Sequence, residues 1–272
     1  MLIAQITDTH IKPPGRLAYR RVDTATYLRR AVAELAALQP RPDAVLVTGD
    51  LVDAGLAEEY ALLRSILGQL PMPYYLIPGN HDARRPLVDA FSDHRYWPTD
   101  GEFLNYVVDE HPVRLVALDT VIPGSGGGEI CAARADWLAG RLSEEPERPT
   151  IVFMHHPPFA TGIVHMDAIG LAGADRVAAV LARHPQVERV LCGHLHRSIQ
   201  VRLAGTIAST APSTAHQVAL DLRPDAPSAF MMEPPGYQLH WFREGTGVIS
   251  HTATMGEFAG PYPFHDNGAL ID

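Results

Sequence analysis

The chain has 272 residues, 46% of them hydrophobic, enough for one large domain or two small ones around a substantial core. Its formal net charge is -9, from 31 acidic against 22 basic residues, which argues against a groove for polymeric nucleic acid. No apolar run is long enough to span a bilayer, two cysteines are too few for a disulfide framework or a cysteine zinc site, and the unusual total is 14 histidines.

The N-terminus enters a strand at Leu2–Ile6 without a basic leader, so a secretory signal is not expected and the expected location is cytoplasmic. That strand ends in Thr7-Asp8-Thr9-His10, and a Pro- and Gly-containing loop over 11–22 carries Tyr19 near its end. Asp23 or Thr24 is placed to cap a helix reaching about Gln39, with Leu28, Ala31, Leu35 and Leu38 at helical spacing. A second buried strand, 44–47, ends in Thr48-Gly49-Asp50-Leu51-Val52-Asp53, and residues 57–70 read as a helix. The run 74–77 reads as a third strand, and Gly79-Asn80-His81-Asp82 follows it. Taken alone, that turn could hold ligands or merely cap the next helix.

Residues 115–118 form a strand ending in Asp119-Thr120, before the glycine run Gly124-Ser125-Gly126-Gly127-Gly128. No Gly-Lys-Ser/Thr follows, so this is read as a mobile loop and not a nucleotide phosphate loop. A helix is expected over 132–142, then a strand over 150–154 ending in His155-His156-Pro157-Pro158. A further helix over about 172–184 leads to the strand 189–191, which ends in Cys192-Gly193-His194-Leu195-His196. Beyond about residue 195 the pattern turns to β structure, with runs at 199–203, 207–209, 217–222, 237–242 and 248–252. The chain divides into 1–223 and a Pro- and aromatic-rich extension, 224–272, read as a lid or a contact between copies.

Five strand ends thus carry potential ligands: Asp8 and His10, Asp50, Asn80, His155, and His194 with His196. In a parallel sheet the carboxyl ends of strands share one edge, so these groups can converge. Residues i and i+2 of an extended segment project to one side, which lets Asp-x-His and His-x-His clasp an ion. Three oxygen donors and four imidazoles exceed one tetrahedral site and suit two ions, with Fe, Zn, Mn or Co fitting better than Ca or Mg. Each residue also has a structural reading, Asp8 as a cap and His155-His156 as a rigid turn, but five such ends together point to a metal centre. His94, His111, His165, His184, His240, His251 and His265 receive no role.

In this order the five blocks resemble the calcineurin-like metallophosphoesterase superfamily. The phrases Ile77-Pro78-Gly79-Asn80-His81-Asp82, Phe153-Met154-His155-His156-Pro157-Pro158 and Thr214-Ala215-His216-Gln217-Val218 are similar to its bacterial glycerophosphodiesterase and class III cyclic-nucleotide phosphodiesterase branch. The resemblance implies a four-layer α/β/β/α sandwich, followed here by the C-terminal extension. It implies Asp8, His10, Asp50 and His196 at one ion, and Asp50 as bridge with Asn80, His155 and His194 at the other. It further implies that His81, His216 and Tyr19 face the substrate, while His156 orients a ligand or shapes the pocket. Asp50, Asn80 and His81 would be the catalytic set.

Two departures push the expected reaction from monoester toward diester. Ala54 stands where the superfamily's protein phosphatases carry arginine, and no tyrosine occupies the purple acid phosphatase ligand position; Arg84 and Arg85 could still bind a dianionic phosphate. The implied activity is hydrolysis of small phosphodiesters, glycerophosphodiesters or 3′,5′-cyclic nucleotides, by direct attack of hydroxide that two divalent metal ions generate. The rival readings are a phosphomonoesterase and a metal-binding scaffold without catalysis. No membrane or nucleic-acid polymer is expected as partner, and a homo-oligomer through the C-terminal region is.

Overall fold

The computed structural model describes residues 1–266 and 269–271. Two main sheets face each other. The first has five strands in the order Gly247–Thr254, Gly236–Arg243, Leu2–Ile6, Ala44–Thr48 and Tyr74–Ile77. The second has six, in the order Ile199–Leu203, Thr206–Thr210, Val187–Cys192, Thr150–Met154, Arg114–Leu118 and Tyr106–Val108. The strands that end in the ligand-bearing turns run parallel to their ligand-bearing neighbours in both sheets.

Side-chain alternation explains the layering. Along Arg114–Leu118, Leu115 and Ala117 join the core shared with the first sheet, while Val116 and Leu118 join a separate core with Leu138, Leu142, Val177 and Val180. Thr150–Met154 divides the same way, with Ile151 and Phe153 on the inner side and Val152 and Met154 on the outer. Such strands, apolar on both faces, need cover on both sides. Helices Ala132–Glu144 and Ala174–Leu181 cover the second sheet, and Thr24–Ala37 and Ala57–Leu67 bury Leu28, Leu35, Tyr60 and Leu63 against the first. The architecture is the expected four-layer α/β/β/α sandwich.

The structure shifts several boundaries. The helix expected over 172–184 spans Ala174–Leu181, because Leu171–Ala172 instead pairs in parallel with Gly128–Glu129. That pairing anchors the end of the glycine run. Only Gln217–Val218 of the run 217–222 is strand, in a small ladder with Phe230–Met231. A boundary at 224 also does not separate the sandwich from the C-terminal extension. Gly236–Arg243 lies antiparallel beside Leu2–Ile6, so the extension supplies two strands of the first sheet.

Candidate metal centre

The carboxyl ends of both sheets meet at one edge. Gln5, on the first strand, donates to the carbonyl of Cys192 across the sandwich (2.9 Å) and to the Thr48 hydroxyl (3.0 Å). Just beyond, Asp8, His10, Asp50, His194 and His196 all adopt positive φ, at 52°, 42°, 46°, 71° and 51°. A left-handed non-glycine residue costs about 1–2 kcal/mol, and persists where its surroundings over-determine it. Here the backbone N–H of Asp8 donates to Gly49 (3.1 Å), that of His10 to Asp50 (2.9 Å), and that of Gly193 to His155 (3.0 Å). The His194 N–H donates to the Asp8 carboxylate (3.0 Å), and the His81 N–H to Asp50 (2.9 Å). Glycine is required at 79 and 193, where a Cβ would collide with Asp50 and with the Thr7 hydroxyl respectively.

Distant carbonyls set which ring nitrogen faces the site. A carbonyl only accepts, so the nitrogen beside it carries the proton. His155 Nδ1–H donates to Thr48 O (2.9 Å), His196 Nδ1–H to His216 O (2.9 Å), His194 Nε2–H to Ile169 O (3.1 Å), and His81 Nδ1–H to Asp53 O (2.7 Å). The nitrogens left over converge. His155 Nε2 lies 3.1 Å from Asn80 Oδ1 and 3.4 Å from Asp50 Oδ1. His196 Nε2 lies 3.1 Å from His10 Nε2 and 3.5 Å from Asp8 Oδ1, and His10 Nε2 is 3.7 Å from Asp50 Oδ2. Asp8, His10 and Asp50 form one buried donor group, and His155 and His194 belong to a second.

The charges agree with this division. Burial opposes ionisation of Asp50, but the nearby His155 outweighs it and holds the carboxyl well below its usual range. Burial likewise opposes a proton on His155, yet Asp50 lifts that imidazole to about 9. Asp8 is pushed up to about 6 by burial, with Asp50 adding to the rise. Burial, reinforced by neighbouring imidazoles, holds His194 and His196 well below the ordinary histidine value, leaving neutral rings suited to metals. The rise at His155 and the fall at Asp50 show that positive charge is favoured between them, which a cation would supply. Lone pairs of buried imidazole and carboxylate donors pointing at one another fit a pair of divalent ions with borderline N/O preference.

These groups floor a cavity of about 400 Å³ lined by His10, Asp50, Asn80, His81, His194, His196 and His216, with Tyr19 on its wall. His216 packs 4.6 Å from the His196 ring, and Tyr19 meets His216 edge-on at 5.1 Å. His156 lies beside His155 and His194, but both its nitrogens are engaged, Nδ1 with the Thr120 hydroxyl (2.7 Å) and Nε2 with Gly126 O (3.1 Å). It therefore ties the glycine run to the site without a free donor atom. Arg84 is also engaged: its guanidinium pairs with buried Asp119 (2.5 and 3.0 Å), and Arg85 pairs with Asp89 in solvent.

Asp82 does not cap the helix Arg84–Ala90, whose N-cap is Ala83. Its carboxylate accepts from the N–H groups of Leu51, Val52 and Gly79 and from the Tyr60 hydroxyl, binding the turn after one strand to the turn after the next. Sequence reasoning also missed His165, Met166, Ile169, Val218 and Phe230 on the cavity wall. Their separation in the chain gives no local signal of that shared location. Asp53, the last residue of the Thr48–Asp53 motif, takes Lys12 on its carboxylate (2.5 Å) and stands 3.6 Å from His10 Nδ1.

Residues 1–198 match the family model described as calcineurin-like phosphoesterase. In an alignment of 274 positions that covers all of both chains, the sequence is 41% identical to a probable glycerophosphodiester phosphodiesterase of Arcobacter nitrofigilis. It is 35% identical over 275 residues to a probable cyclic nucleotide phosphodiesterase of Rhodopseudomonas palustris, covering 99% of this chain and 98% of that one. Among solved structures, the fold is similar to a dimetal phosphatase from Danio rerio, with a TM-score of 0.67 at 16% identity over 94% of this chain and 99% of that one.

Proposed function

The chain belongs to the calcineurin-like phosphoesterase family, and on that premise we propose that it is a metal-dependent phosphodiesterase acting on small diesters, glycerophosphodiesters or 3′,5′-cyclic nucleotides. The observation that carries the reading is the pair of buried donor groups that meet at Asp50 on the floor of the cavity. Asp8, His10, Asp50 and His196 would hold one ion, and Asp50, Asn80, His155 and His194 the other. Two divalent cations would neutralise phosphoryl charge and lower the pKa of the water that attacks phosphorus.

The remaining work falls to the chain's own groups. His81 has Nδ1 committed to Asp53 O, so Nε2 is its only nitrogen available to a phosphoryl oxygen or to the departing alkoxide. His216, whose proton burial and then His10 disfavour down to a value of about 3, is a neutral partner for the ester group. Tyr19, held up at about 12 mainly by burial, keeps its phenol proton as a donor. No buried serine or cysteine is needed as a nucleophile, because water attacks directly.

A monoesterase would need a cation for the second phosphate charge, and Arg84 is already paired with Asp119. Metal-loaded protein should therefore hydrolyse bis(p-nitrophenyl) phosphate in preference to p-nitrophenyl phosphate, and thorough chelation should abolish turnover. A strong preference for the monoester, or activity untouched by chelation, refutes the reading. Among the described residues no helix is long and apolar enough to cross a membrane, and a cytoplasmic site of action accompanies the proposal. So does assembly of copies through the C-terminal region, where Phe258, Tyr262 and Phe264 are 67, 75 and 81% exposed. A monomer in sedimentation, unchanged when the chain ends after Thr254, refutes that assembly.

A further inference from the structure

One wall of the cavity is a short segment whose residues have no assigned role. Residues 161–170 contain a single helical turn, Val164–Asp167, and place His165, Met166 and Ile169 on the cavity. The segment is rigidly held. The Asp167 carboxylate accepts from the Thr161 N–H and hydroxyl (both 2.8 Å) and the Gly162 N–H (2.9 Å). Ile163 and Met166 pack with Val218 and with Leu195, the residue between His194 and His196. The Ile169 carbonyl receives the His194 proton (3.1 Å). The wall is thus docked directly on the turn that carries two of the ligands proposed above.

His165 is the polar group on an otherwise apolar face. Its Nδ1 is sealed from solvent and has no hydrogen-bond partner among the described residues. A buried N–H without an acceptor is rarer and costlier than a bare acceptor, so the neutral ring carries its proton on Nε2. Nε2–H is then the donor available to the cavity that the ring lines. Tyr19, His216 and Phe230 gather beside His10 and His196, whereas the 161–170 segment sits beside His194. A phosphodiester on the metal-centre floor would have one ester group within the part of the cavity that the 161–170 segment lines.

We propose that His165 is a specificity-determining residue, donating a hydrogen bond to an oxygen of a hydroxyl-bearing ester alcohol, a polyol or a pentose. The inference rests on the phosphodiesterase reading, and Met166 and Ile169 make it selective by offering a simple alkyl ester nothing polar to lose. Binding of sn-glycerol 3-phosphate and of ethyl phosphate to metal-loaded protein, followed by calorimetry, tests it. One hydrogen bond in an excluded site is worth about three- to tenfold in affinity, so His165→Ala should weaken the glycerol ligand by that factor and leave ethyl phosphate within about twofold. His165→Gln, which keeps an N–H donor, should bind both within about twofold of the unaltered protein. Metal content should not change. Equal weakening of both ligands, weakening of neither, or loss of metal from His165→Ala overturns the assignment. If the unaltered protein cleaves no diester, the functional reading falls, while the binding comparison still judges His165.

Discussion

Replacing Asp82 by alanine should loosen the metal centre without touching a proposed ligand. Four donors converge on its carboxylate: Gly79 N–H at 2.8 Å, Leu51 N–H and the Tyr60 hydroxyl at 3.0 Å, and Val52 N–H at 3.3 Å. Each buried donor left without an acceptor costs about 1–3 kcal/mol, a gross loss of about 4–12 kcal/mol. Against this stands the cost of the carboxylate itself. Burial, with Asp50 nearby, pushes it up to about 6 from 3.8, and two such units are worth about 3 kcal/mol. With water entering the vacated space to serve some donors, the expected net loss is about 3–5 kcal/mol, large for a single substitution. Leu51 follows Asp50 and Gly79 precedes Asn80, so metal affinity should fall as well, by about 10–100-fold, as for other groups that orient ligands. Asp82→Asn keeps the volume and part of the acceptor capacity and should lose about half as much. Urea denaturation of metal-free protein and calorimetric metal titration measure the two effects. A loss below about 1 kcal/mol with unchanged metal affinity would refute the argument that this carboxylate braces the two turns.

Two further outcomes separate neighbouring roles. Asn80→Ala should lower metal content toward one ion per chain, whereas His81→Ala should keep both ions and slow turnover; elemental analysis beside steady-state kinetics distinguishes them, and equal metal loss from both would show the roles misdivided. His240 gives a pH test away from the metal ligands. It is fully buried, bonded to Gln5 and Ser250, and burial, then Arg189, lowers it from 6.5 to about 3. Its folded value lies below its unfolded one, so its contribution is present above pH 6.5 and is lost as pH falls toward 3. That contribution is worth about 4–5 kcal/mol at full extent. Denaturation midpoints of the unaltered chain should drop more steeply below pH 6.5 than those of His240→Gln, and parallel profiles would contradict this.

Much of the site was legible because its chemistry lies at strand ends. Short apolar runs mark strands, their carboxyl ends share an edge, and Asp8, His10, Asp50, Asn80, His155, His194 and His196 all lie in the turns that follow such runs. Hydrophobic pattern and ligand type are local properties, and a single chain displays them. The four-layer sandwich was implied by the family resemblance, and strands such as Arg114–Leu118, which feed two cores, accord with it.

Only the tertiary structure decided what each polar group does. His155 and His156 are adjacent and chemically identical, yet Thr48 O leaves His155 Nε2 bare while Thr120 and Gly126 occupy both nitrogens of His156. Arg84 had the charge to bind phosphate and was withdrawn by Asp119, 35 residues away. Asp82, in the place of a helix cap, braces two turns, and the tail beyond residue 224 completes the first sheet beside Leu2–Ile6. His165 showed no ligand spacing and joins the cavity because Ile163 and Met166 pack on Leu195. Local sequence determined which groups reach the edge of the sheets, because strand periodicity and termini are encoded within a few residues. Which nitrogen or oxygen remains free there depends on acceptors and charges from remote parts of the chain, and folding alone brings those into place.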